Sequence, residues 1–207
     1  MYAKFTGMKK KWKSEITSWA VILTVILTLY LTGLHTEVIG RVQQVFLSTG
    51  LLKPSVDHTL QESSAQAQQP SYDIPLARLN GEKVNMKNFA GKVVFINLWA
   101  TWCPPCIAEM PSIHKLYEQM DTSQIQFVML TLDEDLEKAK KFIERKGYRF
   151  PVYATTQEMP SAFATTSIPT TFVLSPNGKI VLRKEGMAKY NTEEFKNFLT
   201  DLSKNAK

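Results

Sequence analysis

Val93-Val94-Phe95-Ile96-Asn97-Leu98-Trp99-Ala100-Thr101-Trp102-Cys103-Pro104-Pro105-Cys106, followed by Ile107-Ala108-Glu109-Met110, is the stretch that decides how this chain is read. The unbroken apolar run from Val93 to Leu98 reads as a central strand covered on both faces. The residues after Cys106 have helical character. Prolines are tolerated at a helix start because the first N–H groups there lack partners anyway. Two sulfurs that are to join need Cα atoms within about 7 Å of each other. Residues three apart on the first turn of a helix meet that need. The same turn aims backbone N–H groups and the positive end of the helix dipole at the first sulfur, that of Cys103. Its pKa falls and it becomes the nucleophile, expected at the exposed end of the turn. Strand, turn, Cys-x-x-Cys and helix form the setting in which this spacing reads as a redox dithiol. Cys106, facing inward, would resolve the mixed disulfide.

The competing readings are a zinc half-site and a pair of inert buried thiols. A structural zinc site usually takes four Cys or His ligands. This chain has two cysteines, and its histidines are His35, His58 and His114. His35 and His58 fall outside the globular domain, in the expected anchor and linker. His114 lies on the same predicted helix as Cys106, roughly 12 Å further along its axis at 1.5 Å per residue. No metal site is expected. Met110, Met120 and Met129 occupy apolar positions and read as packing.

The chain has 207 residues, room for one ordinary domain and an accessory segment. Its net charge of +6 is unevenly placed: residues 1–53 hold 7 Lys/Arg and 2 Asp/Glu, residues 54–207 hold 18 and 17. The basic character therefore belongs mainly to the N-terminus, and no nucleic-acid partner is expected. A lone cysteine pair suits an oxidising compartment, where stray thiols would mispair.

The pattern divides the chain into four parts: residues 1–15 basic, 16–34 apolar, 35–71 an amphipathic segment and linker, and 72–207 the globular domain. Lys4, Lys9, Lys10, Lys11 and Lys13 precede an uncharged run from Ile16 to Leu34. A membrane-spanning helix needs about 20 mainly apolar residues. Trp19 and Tyr30 sit near its ends, as an aromatic belt would place them. The basic cluster should remain cytoplasmic, with the rest of the chain on the far side. The rival is a cleaved signal peptide, whose apolar core would be shorter and end in a small-x-small site. Residues 36–53 repeat Val38, Ile39, Val42, Val45 and Phe46 at helical spacing. They would lie on the membrane surface, on the catalytic domain, or on another copy. Residues 54–71 read as a flexible tether.

Within the domain, Asn80-Gly81 signals a hairpin, and Ile125 to Thr131 reads as a second central strand. The helix between the two strands runs from about Pro105 to Met120, with Pro111 expected to kink it. Asp133 or Asp135 caps the next helix, which Gly147 ends. A short extended piece, Phe150 to Tyr153, and a short helix around 161–165 follow. Thr170 to Leu174 and Lys179 to Glu185 flank Pro176-Asn177-Gly178, another hairpin signal. Asn191-x-x-Glu194 resembles a capping box opening the last helix. The expected architecture is α/β, a mixed central sheet with helices on both faces.

Three pieces carry a family resemblance: Gly91 through Cys106, Glu109-Met110-Pro111, and Ile168-Pro169-Thr170-Thr171-Phe172-Val173. Residues 72–207 resemble the thioredoxin-like domain of membrane-anchored, extracytoplasmic TlpA/ResA thiol–disulfide oxidoreductases. The resemblance implies a thioredoxin-like fold and no cofactor beyond the Cys103–Cys106 disulfide. It also makes Ile168-Pro169 the cis-proline loop that faces the dithiol, aligns substrate backbone and keeps metals off the sulfurs. Substrate contact is expected at Trp102, Pro104, Pro105, Ile168 and Pro169. Family partners would be protein disulfides, with apocytochrome c awaiting haem a frequent client, and a membrane thiol carrier as electron donor.

Two residue-level expectations follow. Pro104 and Pro105 have no N–H to give the Cys103 thiolate, so the reduced form is less stabilised and the potential lower. That favours reducing disulfides over making them. Asn97 stands where cytoplasmic thioredoxins carry a buried acid, and an amide cannot accept the proton that Cys106 loses. Glu109, one turn past Cys106, is the candidate acid/base; the alternative is a surface glutamate near the helix start. A thiol peroxidase would need threonine where Ala100 stands. A copper chaperone would need a wider cysteine spacing and a distant histidine, and a non-catalytic module of this shape would normally lose a cysteine.

Overall fold

The computed structural model describes residues 5–32, 34–48, 73–155 and 157–204. The tether expected at 54–71 lies outside them. Two helices come first, α1 (Phe5–Leu31) and α2 (Leu34–Ser48). The domain then runs β1 (Pro75–Arg78), β2 (Lys83–Asn85), β3 (Val93–Trp99), α3 (Pro104–Gln119), β4 (Ile125–Thr131), α4 (Leu136–Lys146), β5 (Val152–Thr155), β6 (Thr170–Leu174), β7 (Ile180–Glu185) and α5 (Glu193–Lys204).

The seven strands form one mixed sheet in the order β2-β1-β5-β4-β3-β6-β7. β3, β4 and β5 run parallel, whereas β6 lies antiparallel against the other edge of β3. Every residue of β3 is buried, as an apolar run at the sheet centre must be. Its residues alternate between two cores. Val93, Phe95 and Trp99 meet Met110 and Ile113 of α3, Phe142 of α4 and Phe195 of α5. Val94, Ile96 and Leu98 meet Met86, Phe89 and Phe163 on the other side.

That arrangement corrects the expectation of helices on both faces. The chain steps from β3 to β4 to β5 in one direction, and right-handed crossovers in one direction put α3 and α4 on the same face. Two 3-10 turns, Met86–Phe89 and Ser161–Phe163, help cover the opposite face.

Local signals fared well at most turns. Gly81 (φ 86°) closes the β1–β2 hairpin and Gly147 (φ 67°) ends α4 in the left-handed region. Asp135 is the α4 cap, its carboxylate accepting from Glu137 N at 3.1 Å; Asp133 is used elsewhere. At α5 the cap is Thr192, whose Oγ1 accepts from Phe195 N at 3.2 Å. The capping box built on Asn191 does not form. α3 continues through Pro111.

Among the described residues no helix is long and apolar enough to cross a membrane. The apolar run expected as a span at 16–34 falls mostly within α1, which starts at Phe5 and takes in Lys9, Lys10, Lys11 and Lys13. Of the three placements open to α2, the structure has it against α3, at the end of the sheet where the cysteines lie.

Candidate active site

β3 ends at Trp99, and the turn Ala100–Cys103 delivers the chain into α3. Cys103 is the N-cap of α3, with Pro104 and Pro105 as its first two residues. The sulfurs of Cys103 and Cys106 are joined, with Cα atoms 5.3 Å apart. The only hydrogen bond from a backbone N–H to Cys103 Sγ among the described residues comes from Cys106 N, at 3.3 Å. That contact is the one the two prolines leave available.

The remaining sequence-chosen residues gather around this pair. The Ile168–Pro169 peptide bond is cis, and the Ile168 carbonyl oxygen lies 3.7 Å from Cys103 Sγ. Pro169 is buried, while Ile168, Pro104 and Pro105 are half-buried. Trp102 stands out from the surface, 59% exposed. Cys103 departs from its expected exposure, at 4% exposed. The S–S bond to Cys106 and the Ile168 carbonyl lie against its sulfur.

Asp133 holds the turn that presents the dithiol. Its carboxylate accepts from Thr101 N at 3.0 Å, from Thr101 Oγ1 at 2.7 Å and from Thr131 Oγ1 at 2.8 Å. The sequence pattern points to Asp133 only as a candidate helix cap. No local signal marks its role, since Thr101 is brought to it by the parallel pairing of β3 with β4.

Glu109 is fully buried, which removes the surface alternative. Its Oε1 accepts from Asn97 Nδ2 at 2.7 Å and its Oε2 from Ala188 N at 3.0 Å. Asn97 Nδ2 also donates to Thr171 Oγ1 at 3.0 Å, which accepts from Tyr190 OH at 2.7 Å. Burial pushes the Glu109 carboxyl up to about 8; the Asn97 and Ala188 donors and the charge of Lys184 oppose that rise without cancelling it. The Tyr190 phenol is held well above its ordinary value, first by burial and then by the neighbouring Glu109 charge. One helical turn past Cys106 there is therefore a carboxyl able to exchange a proton near neutral pH. Thr171, Ala188 and Tyr190 come from β6 and the segment after β7. They carry no individual sequence signal for this network.

The redoxin family model matches residues 61–202. The chain is similar to thiol-disulfide oxidoreductase ResA of Halalkalibacterium halodurans, 31% identical over 135 residues, 64% of this chain and 77% of that one. It is also similar to thiol-disulfide oxidoreductase ResA of Bacillus thuringiensis subsp. konkukian, 33% identical over 119 residues, 56% and 69% of the two chains. Among solved structures it resembles a thiol:disulfide interchange protein of the thioredoxin family from Chlorobium tepidum, with TM-score 0.53 and 26% identity over 69% of this chain and 99% of that one. With the dithiol at the strand–helix turn and the cis-proline loop against it, these likenesses place the chain in the redoxin family, as a ResA-like thiol–disulfide oxidoreductase.

Proposed function

We propose that this oxidoreductase works as a reductase of protein disulfides, anchored in a membrane with its catalytic domain on the extracytoplasmic side. The observation that carries the direction is the single backbone N–H on Cys103 Sγ. A thiolate with few donors is a less stable reduced form, and such a dithiol gives its electrons away more readily. Trp102 and the Ile168-Pro169 loop supply the contact surface for the client.

In the reduced protein, the Cys103 thiolate attacks one sulfur of a client disulfide. The client S–S bond breaks, a Cys103–client bond forms, and the released client thiolate takes a proton from solvent. Cys106 then gives its proton to the ionised Glu109 carboxylate and attacks Cys103 Sγ. The Cys103–client bond breaks, the second client sulfur leaves and is protonated, and the Cys103–Cys106 bond is made. Two electrons pass from the dithiol to the client. Re-reduction calls for a dithiol carrier in the membrane, and apocytochrome c is the client class the family resemblance suggests.

The anchor reading draws on α1. Trp19, Val21, Leu23, Val25, Ile26, Leu27, Tyr30 and Leu31 are each more than half exposed, in positions that circle the helix. Thr24, Thr28 and Thr32 hydroxyls donate to the carbonyls of Ala20, Thr24 and Thr28 at 2.7–2.8 Å, so they need no water.

Equilibration of the dithiol with glutathione measures the direction: a reducing potential supports the proposal, and one near the most oxidising dithiols, about −120 mV, refutes it. Cys106→Ser should capture clients as mixed disulfides. Extraction by alkaline carbonate would count against the anchor.

A further inference from the structure

α2 meets the active-site helix where the dithiol begins. A Cβ added at Gly40 would stand 3.0 Å from Ile107 Cγ2 and 3.2 Å from the Pro104 carbonyl oxygen. Such distances are tighter than most Cβ contacts, so a side chain at this position would push Ile107 or the Pro104 carbonyl back by a few tenths of an ångström. Gly40, Gln43 and Leu47 recur at helical spacing and form the seated face; Gly40 and Leu47 are buried and Gln43 is half-buried. Ile39, Val42 and Val45 are exposed. The surface under α2 includes Ile107, only 7% exposed on the first turns of α3. Pro104, the other contact, lies between the two cysteines.

We propose that the Pro104–Ile107 surface is a docking face for client proteins, that α2 is its resident occupant, and that a client displaces α2 to reach Cys103. The position accounts for the first half of this claim. A protein that bonds covalently to Cys103 must bring its own backbone against the adjoining turn, where α2 now lies. The seat itself accounts for the second half. Gln43 Oε1 is buried with no hydrogen-bond partner among the described residues, and an unsatisfied buried acceptor weakens the contact that buries it. The occupant is therefore held by shape at Gly40 and loosened by chemistry at Gln43. The inference rests on thiol exchange at Cys103 but not on its direction.

The test uses the full chain in detergent micelles, carrying Cys106→Ser so that Cys103 is the sole thiol. The rate of its alkylation by a maleimide bearing a polyethylene glycol chain is measured, with hydrogen exchange reporting on α2. Gly40→Leu should unseat α2 and raise the rate, roughly tenfold for a cover closed about nine-tenths of the time. Gln43→Leu removes the unpaired acceptor and should lower the rate. Val42→Leu, on the exposed face, should leave it unchanged. Equal rates in all four chains overturn the proposal. So does an α2 whose amides are unprotected in the parent chain, or equally protected in Gly40→Leu. Insulin reduction by the two-cysteine chain is read separately: its absence refutes the reductase reading and leaves the alkylation result standing.

Discussion

Glu109→Gln offers the sharpest trial of the buried carboxyl, because its effect on stability should change sign with pH. In the oxidised protein the acid is lifted from 4.5 to about 8, chiefly by burial. Between those values the folded chain keeps a proton that the unfolded chain has released, so stability falls as pH rises. The contribution is complete below pH 4.5, and its loss ends where the folded carboxyl ionises, near pH 8. At about 1.4 kcal/mol per pH unit, the interval from 4.5 to about 8 amounts to about 5 kcal/mol. Glutamine does not titrate and forfeits none of that. It does carry a cost of its own. Both carboxyl oxygens accept from N–H groups, of Asn97 and Ala188, and an amide can accept only on its one oxygen. Leaving a buried donor unmet costs about 1–3 kcal/mol. The variant should therefore be less stable than the parent by about 1–3 kcal/mol at pH 4.5. It should be more stable by about 2–4 kcal/mol at pH 9, with the two curves crossing at about pH 5–7. Urea titrations of the oxidised chains, followed by fluorescence of the buried Trp99 across this range, measure the difference directly. Parallel curves would refute both the burial argument and the proton-accepting role assigned to this side chain. If the role is right, the variant should also resolve mixed disulfides slowly, with no inflection near pH 8.

Two other substitutions probe the turn and the thiolate. Asp133→Ala strips the acceptor from Thr101 N, Thr101 Oγ1 and Thr131 Oγ1, and should cost about 2–3 kcal/mol in urea unfolding; Asp133→Asn, which keeps one oxygen, should cost less. An Asp133→Ala chain as stable as the parent would show that the turn stands without it. Pro105→Ala restores an N–H at the second helical position, aimed at the capping sulfur. One charge-assisted hydrogen bond of about 1.5 kcal/mol should lower the Cys103 thiol pKa by about one unit and raise the potential by roughly 30 mV. An unchanged potential would mean that missing donors do not set the direction of exchange.

Sequence features worked where the controlling physics is short-ranged. The Cys-x-x-Cys spacing on a first helical turn, the two prolines that withhold donors, and glycines that accept positive φ all depend on neighbours a few positions away. So does the apolar run of β3. The same kind of evidence misplaced one helix cap and left another open between two residues. The pattern points to Asn191 as the α5 cap, whereas Thr192 is the residue that accepts from Phe195 N. Asp133 and Asp135 both suit the other cap, and the strand pairing that brings Thr101 to Asp133 selects Asp135. The side taken by each helix depended on strand order, which periodicity does not encode.

From its residues alone this chain determined that two sulfurs would meet at a strand–helix turn with little backbone support for a thiolate. Tertiary structure decided what stands around them. Glu109 is an acid shifted toward neutrality only because the fold buries it, and the donors that hold back the shift, Asn97 and, at a separation of 79 residues, Ala188, are likewise brought to it by the fold. Gly40 is a seat only because α2 lies on α3. Reactivity here follows from desolvation and close approach, and both belong to groups that the fold, not chain proximity, brings together.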